Sequence, residues 1–180
     1  LLCDGRLLAL NSYENRVYQV GIEDAEPLIT KVYRPGRWSD EQILEEHAFA
    51  LEIADAEIPL IPPLEINGQT LHEHDGFRFA LFERRGGNAP ELDQKDARVW
   101  LGRFLGRIHA VAAGKPFQTR PELTIESFGH KPVKTLLEEQ WLPPHLETAF
   151  STLTTDLLTS IEASYERAGQ FSNIRLHGDC

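Results

Sequence analysis

The sequence has no methionine and only two cysteines among its 180 residues. Cys3 and Cys180 sit at opposite ends, which excludes a disulfide framework and a closely spaced thiolate metal site and makes a reducing cytoplasm the expected setting. Positive charge is scarce too: 18 Lys and Arg face 28 Asp and Glu, leaving a net charge of −10. A surface of that sign repels phosphate backbones and anionic lipid, so neither nucleic acid nor a membrane is an expected partner. No apolar run approaches the roughly 18 residues of a spanning helix, and residues 1–10 are broken by Asp4 and Arg6. Repeats and low-complexity tracts are also absent. With 41% apolar and 26% charged side chains, disordered and fibrous classes are excluded, and one compact domain or two small lobes are expected. The opening on Leu1 and the stop just after a His-Gly-Asp turn lead us to expect further sequence beyond Cys180.

What is present is strand-rich first and helical later. Residues 7–10, 16–22 and 28–33 read as strands, with a polar turn at 23–27 short enough for antiparallel neighbours. Asn67-Gly68 between 64–66 and 70–72 is a strong hairpin signal, and Asp75-Gly76 leads into 77–82. About five antiparallel strands result, interrupted by one helix. That helix starts at Ser39, which forms a capping box with Gln42, and ends near Ala56, before Pro59. Its periodicity turns Ile43, Leu44, Ala50, Leu51 and Ala54 inward and Glu45 and Glu52 outward, with Glu46 at the edge of the core-facing stripe.

Residues 84–90, rich in Gly and Pro, suit a hinge. Asp93 then caps a helix to about Ala113 with Val99, Leu101, Phe104, Leu105 and Ile108 as its apolar positions, while Gly102 and Gly106 predict close packing against another element. Residues 115–132 read as loop and 133–140 as a short helix. Pro144 opens a helix that runs to Ala168 with Leu146, Phe150, Leu153, Leu157 and Ile161 inward, stopped by Gly169. Ile174-Arg175-Leu176 reads as a short strand. The chain divides into a strand-rich part at 1–83, a linker at 84–92 and a helical part at 93–180, whose helices are expected to leave apolar surface open.

Lys31 shares a strand face with Ile29 and Tyr33. Alone it reads as a lysine snorkelling along a half-exposed strand. Glu46 changes that, because an inward ammonium needs a carboxylate, and a lysine fixed by such a pair can hold nucleotide phosphates. Residues 11–16 join the first two strands without a glycine and taken alone form an ordinary polar hairpin, though Ser12 and Asn15 can present hydroxyl, amide and N–H donors. An Asp in a turn is most often a local acceptor, but Asp179 follows a strand start, where a rigidly held carboxylate can take the proton of a substrate hydroxyl; it is the candidate base. His72-Glu73-His74 reads as exposed hairpin, with no metal ligand assigned. His109 reads as a hydrogen-bonded core histidine, and Trp38, Trp100 and Trp141 as packing anchors.

Lys31 in a third strand, Glu46 on the next helix, Gly86-Gly87, residues 101–109 and Leu176-His177-Gly178-Asp179 together resemble the aminoglycoside phosphotransferase and choline kinase group of protein-kinase-like enzymes. Within that group residues 11–18, 31–35 and 42–47 look closest to its bacterial stress-response branch, cytoplasmic Ser/Thr protein kinases. The resemblance implies an α+β, protein-kinase-like two-lobed fold: an antiparallel five-stranded N-lobe with one helix that binds nucleotide, then the start of a helical C-lobe. By that likeness ATP lies between the lobes, Lys31 holds its α- and β-phosphates and Glu46 orients Lys31. Backbone groups around Phe82, Glu83 and Arg84 meet the adenine, Ser12 and Asn15 match the phosphate loop, and Asp179 matches the catalytic Asp. The Asn and Asp that bind Mg2+ in the pattern fall beyond residue 180, so residues 1–180 alone are expected to be inactive. The implied reaction is phosphoryl transfer to a Ser/Thr hydroxyl of a protein by a monomeric enzyme. The alternatives are transfer to a small hydroxyl compound, such as an amino-alcohol, sugar or antibiotic, and a non-catalytic module that binds nucleotide or a partner protein.

Overall fold

A computed structural model describes residues 1–178; Asp179, the candidate base, and Cys180 lie outside the described residues. Five antiparallel strands form one sheet: β1 (Cys3–Leu10), β2 (Arg16–Ile22), β3 (Ala25–Val32), β4 (His72–His74) and β5 (Phe77–Glu83), in the spatial order β1-β2-β3-β5-β4. The α+β class and the strand number expected from the sequence are present. Turn chemistry explains the connections. Asp75 and Gly76 both take positive φ, as the two-residue turn between β4 and β5 requires. Asn67 and Gly68 do the same, but the hairpin they close is only the Ile66–Gln69 bridge, and the longer pairing forms one turn later, at 72–74.

Helix α1 (Asp40–Asp55) follows β3 and packs on the sheet. Its start is as expected: Ser39 Oγ accepts the Gln42 N–H at 3.3 Å and Gln42 Oε1 accepts the Ser39 N–H at 3.0 Å. The buried residues of α1 are Ile43, His47, Phe49 and Ile53. This arc differs from the expected stripe, because Leu44 is exposed and Glu46 falls within the arc rather than at its edge. The helix touches two things at once. Tyr33, Ile43 and Ala80 form a core between α1 and the sheet, joined by Trp38, Leu71 and Phe82. Phe49, Ile53 and Ile58 form another with Ile108 and Ala112 of α2 (Lys95–Ala112), joined by Leu60, Val111, Phe117 and Ile174.

The chain divides into two compact units, Leu1–Thr119 with the returning segment from Ile174, and Arg120–Asn173. The second holds a π-helical turn (Glu126–His130), α3 (Lys131–Glu138) and α4 (Pro144–Ala168). Part of the stretch expected as loop is therefore helical. Thr124 and Ser127 cap each other's N–H groups at 3.0 Å, and Pro132 sits in the first turn of α3, directly after the π-helical turn.

Several helical expectations are corrected. Helix α2 starts at Lys95 without a side-chain cap, since residues 91–94 are already folded into a turn closed by Gln94 N–H to the Glu91 carbonyl. No atom lies within 4 Å of a Cβ built on Gly102 or Gly106, so these glycines face open space among the described residues. Val99 and Leu101 are exposed, and so is His109, because only Ile108 and Ala112 of α2 are buried. In α4, Phe150 and Ile161 are half-buried but Leu146, Leu153 and Leu157 are exposed; the face turned to its own unit runs instead through Thr154 and Leu158. Residues 174–176 form no strand. Among the described residues no helix is long and apolar enough to cross a membrane.

Candidate active site

Lys31 lies on the central strand β3, opposite Val17 of β2 and Ala80 of β5. Ala80 offers only a methyl group there, which leaves room for the lysine stem on the face covered by α1. Lys31 Nζ donates to Glu46 Oε1 at 2.8 Å and stands 4.9 Å from the centroid of the Tyr33 ring. The ring is itself fixed: Tyr33 Oη pairs with His47 Nε2 at 2.7 Å, and His47 Nδ1 pairs with Thr70 Oγ1 at 2.9 Å. Burial pushes the His47 imidazole down from 6.5 to about 4; Glu46 opposes that shift, and Lys31 and His72 add to it. Near neutrality His47 is therefore uncharged and carries one N–H, which serves one of its two partners.

The β1–β2 loop approaches the end of β3. Ser12 Oγ donates to the Asn15 carbonyl at 2.7 Å, and Asn15 Oδ1 accepts the Arg34 N–H at 3.3 Å, three residues beyond Lys31. Glu14 Oε1 receives both Arg37 Nε at 2.6 Å and Trp38 Nε1 at 3.0 Å. The loop is thus latched to the segment that leads into α1. On β5, Phe82 pairs with Ile29 and packs on the core below, while the ladder ends at the Leu28–Glu83 pair. Glu83 Oε2 takes Arg85 Nη2 at 2.6 Å, and Arg84 Nε donates to Gln19 Oε1 at 3.1 Å.

Glu45 and Glu52, expected on the solvated side of α1, are engaged instead. Glu45 receives the N–H groups of Gln118 at 2.5 Å and Thr119 at 2.9 Å, plus the Thr119 hydroxyl at 2.7 Å. Glu52 receives Arg175 Nη2 at 2.7 Å and Lys115 Nζ at 2.5 Å. The Arg175 hydrogen bond holds the Glu52 carboxyl below the usual carboxylate range, against burial and with help from Lys115. The reason lies in distant chain: residues 115–119 and 174–176 return over the helix side that periodicity assigns to water.

A family model described as the phosphotransferase enzyme family matches residues 6–180. The chain belongs to this family. Ser/Thr protein kinase RdoA of Salmonella typhimurium is 40% identical over 180 residues, 100% of this chain and 54% of that protein. Stress response kinase A of Escherichia coli K12 is 41% identical over 177 residues, 98% of this chain and 53% of that protein. The chain spans about half the length of these curated relatives. Among solved structures, amicoumacin kinase hAmiN, in complex with AMP-PNP and Ca2+, superposes with a TM-score of 0.67 at 19% identity over 89% of this chain and 49% of that one. A microcompartment-associated aminopropanol kinase gives 0.56 at 20% identity over 71% and 42%. These likenesses show the protein-kinase-like fold of the phosphotransferases.

In this phosphotransferase-family chain the structure joins Lys31 with Glu46 and Ser12 with Asn15, and it puts the Ser12–Asn15 loop beside the end of the lysine's strand. Sequence reasoning passed over Glu14, His47 and Arg175, assigned Glu52 to the solvated side, and took Trp38 for packing alone. Each of them is defined by a partner at least 14 residues away, so no local spacing marks it. The Lys31 ammonium and the Asn15 side-chain amide suit the phosphates of a nucleotide, being one cation beside a neutral donor, while the Ser12 hydroxyl shapes the loop by donating to the Asn15 carbonyl. Among the described residues no group of three or more His, Cys, Asp or Glu side chains could hold a metal ion. No divalent-metal step is assigned to residues 1–178.

Proposed function

We propose that the protein is an ATP-dependent kinase that phosphorylates Ser or Thr hydroxyls of a protein substrate. The observation that carries this reading is the Lys31–Glu46 pair at 2.8 Å on the α1-facing side of the central strand. In it, residues 1–83 are the nucleotide-binding lobe, 84–92 the hinge and 93–180 the start of the helical lobe. Lys31 holds the α- and β-phosphates and Glu46 holds Lys31 in place. Ser12 and Asn15 place the β1–β2 loop against the phosphates, and the backbone of Phe82, Glu83 and Arg84 receives the adenine. Asp179 takes the hydroxyl proton while the acceptor oxygen bonds to the γ-phosphorus and the bond to the bridging oxygen of ADP breaks. Bound Mg2+ would neutralise the developing phosphate charge, held by an Asn and an Asp that the family pattern puts beyond residue 180. The protein works as a cytoplasmic monomer in this reading. The choice of a protein acceptor rests on a relative at 40% identity that is named as a Ser/Thr protein kinase.

The test is transfer of labelled γ-phosphate by the full-length enzyme to a generic Ser/Thr protein and, in parallel, to a panel of small amino-alcohols, sugars and aminoglycosides. Label on the protein is the expected result. Label on a small compound alone would overturn the acceptor class while keeping the kinase, and no transfer to either would overturn the kinase. Asp179→Asn should lower turnover by about 10²–10⁴-fold, the usual share of general-base assistance, with little change in ATP affinity.

A further inference from the structure

Helix α1 carries a second ion pair about one and two-thirds turns beyond the first. Glu46 takes the Lys31 ammonium, and six residues on Glu52 takes the Arg175 guanidinium at 2.7 Å. Arg175 is 3% exposed, and two of its three guanidinium nitrogens, Nε and Nη2, are engaged. Nη2 also donates to the Val111 carbonyl at 3.2 Å and Nε to the Ala112 carbonyl at 3.5 Å, both at the end of α2. The guanidinium lies 4.3 Å from the Phe49 ring and 5.7 Å from the Phe117 ring. Stripping a guanidinium of water is costly unless carboxylate, carbonyls and aromatic faces replace the hydration, and here all three do. The segment so held has no helix or strand of its own from residue 169 to residue 178. Beside Arg175, only Ile174 enters the core, whereas Leu176 and His177 are exposed.

We infer that Arg175 is the positioning residue of the His177-Gly178 stretch that leads into Asp179, and that α1 ties this stretch to the Lys31 grip through Glu52 and Glu46. The inference rests on the proposed roles of Lys31 and Asp179 and adds a residue to them. A helix is stiff over six residues, about 9 Å, so the two carboxylates cannot shift independently. Arg175 is argued to touch no reacting atom; it acts through the residues that follow it, and in a reaction governed by placement a displacement of about 1 Å can cost on the order of 10²-fold.

The experiment compares full-length wild type, Arg175→Lys, Glu52→Gln, Asp179→Asn and the double variant Arg175→Lys/Asp179→Asn, with the melting temperature recorded for each. Lysine keeps the charge but lacks the planar donor fork that meets the carboxylate and the two carbonyls from one rigid group. Glu52→Gln keeps the size of the side chain and is the milder change should Arg175→Lys fold poorly. In folded enzyme, kcat should fall about 10–100-fold in either variant while KM for ATP changes less than about threefold, because Lys31 and Glu46 are untouched. On the Asp179→Asn background Arg175→Lys should lower kcat by less than about threefold more, since its effect passes through Asp179. Unchanged kcat in both single variants, or full additivity in the double variant, would overturn the positioning role even where the melting temperature drops. Wild-type activity in Asp179→Asn would instead overturn the proposed base, which separates failure of that reading from failure of this one.

Discussion

Lys31 and Glu46 have side chains that remain 25% and 36% exposed. At that exposure an ion pair contributes little to stability, about 0–1 kcal/mol, so its worth is geometric. Glu46→Gln should therefore leave the melting temperature nearly unchanged and lower kcat/KM for ATP by at least ~10-fold; a large loss of stability with intact kinetics would make the pair structural. His47 behaves in the opposite way. The native state keeps it neutral down to about pH 4, whereas the unfolded chain takes up a proton below 6.5. Its contribution is thus complete above pH 6.5 and is lost as pH falls toward 4, by up to ~3 kcal/mol. Urea titrations from pH 7 to 4 should show that slope, and His47→Gln should flatten it; an equal slope in the variant would assign the acid sensitivity to carboxylates. Lys31 and Glu46 were legible in the sequence because a strand alternation and a helix repeat both point inward at short range. Arg175 and Glu52 were not, since a contact across 123 residues leaves no periodic trace.

At the scale of elements, α1 was legible at its ends and misread on its faces. The capping box depends on adjacent residues and formed as written, whereas the arc of burial was set by α2 and by the returning segments at 115–119 and 174–176. The charged residues of α1 thus hold neighbouring chain, where a lone amphipathic helix would have left them in water. Helix α2 offers a sharper test. Gly102 and Gly106 sit inside a helix with nothing near their missing side chains. Alanine at either position should stabilise the full-length protein by about 0.5–1 kcal/mol in chemical denaturation, through helix propensity alone. A loss of stability would show that residues outside 1–178 cover this face. Gly178 is a different case: its φ of +80° lies where side-chain-bearing residues are strained, so Gly178→Ala should cost about 1–2 kcal/mol locally and lower turnover more than ATP affinity.

For the molecule as a whole, the fold class and the family were readable before any coordinates, because five strands with their turn residues, one capped helix and a few dispersed motifs agree with each other. The arrangement of helices after residue 113 was less readable, since reciprocal Thr124–Ser127 capping and a π-helical turn carry weak signals. Ligand binding gives the whole-molecule prediction. ATP that binds only the folded state raises the melting temperature with concentration, by RT ln(1 + [ATP]/Kd) in free energy. Full-length protein should show this rise, and Lys31→Ala should abolish it; an equal rise in the variant would remove Lys31 from the nucleotide site. The latch at Glu14 makes the same event visible. Its carboxylate grips the indole of Trp38 and the guanidinium of Arg37 together, so a nucleotide that tightens the β1–β2 loop also changes the surroundings of a fluorophore just ahead of α1. With Trp100, Trp141 and any tryptophan outside residues 1–180 replaced by phenylalanine, Trp38 becomes a built-in optical gauge. Its emission should shift as ATP is added to the wild-type loop and stay constant in Glu14→Gln, which turns a hydrogen bond into a direct readout of loop closure.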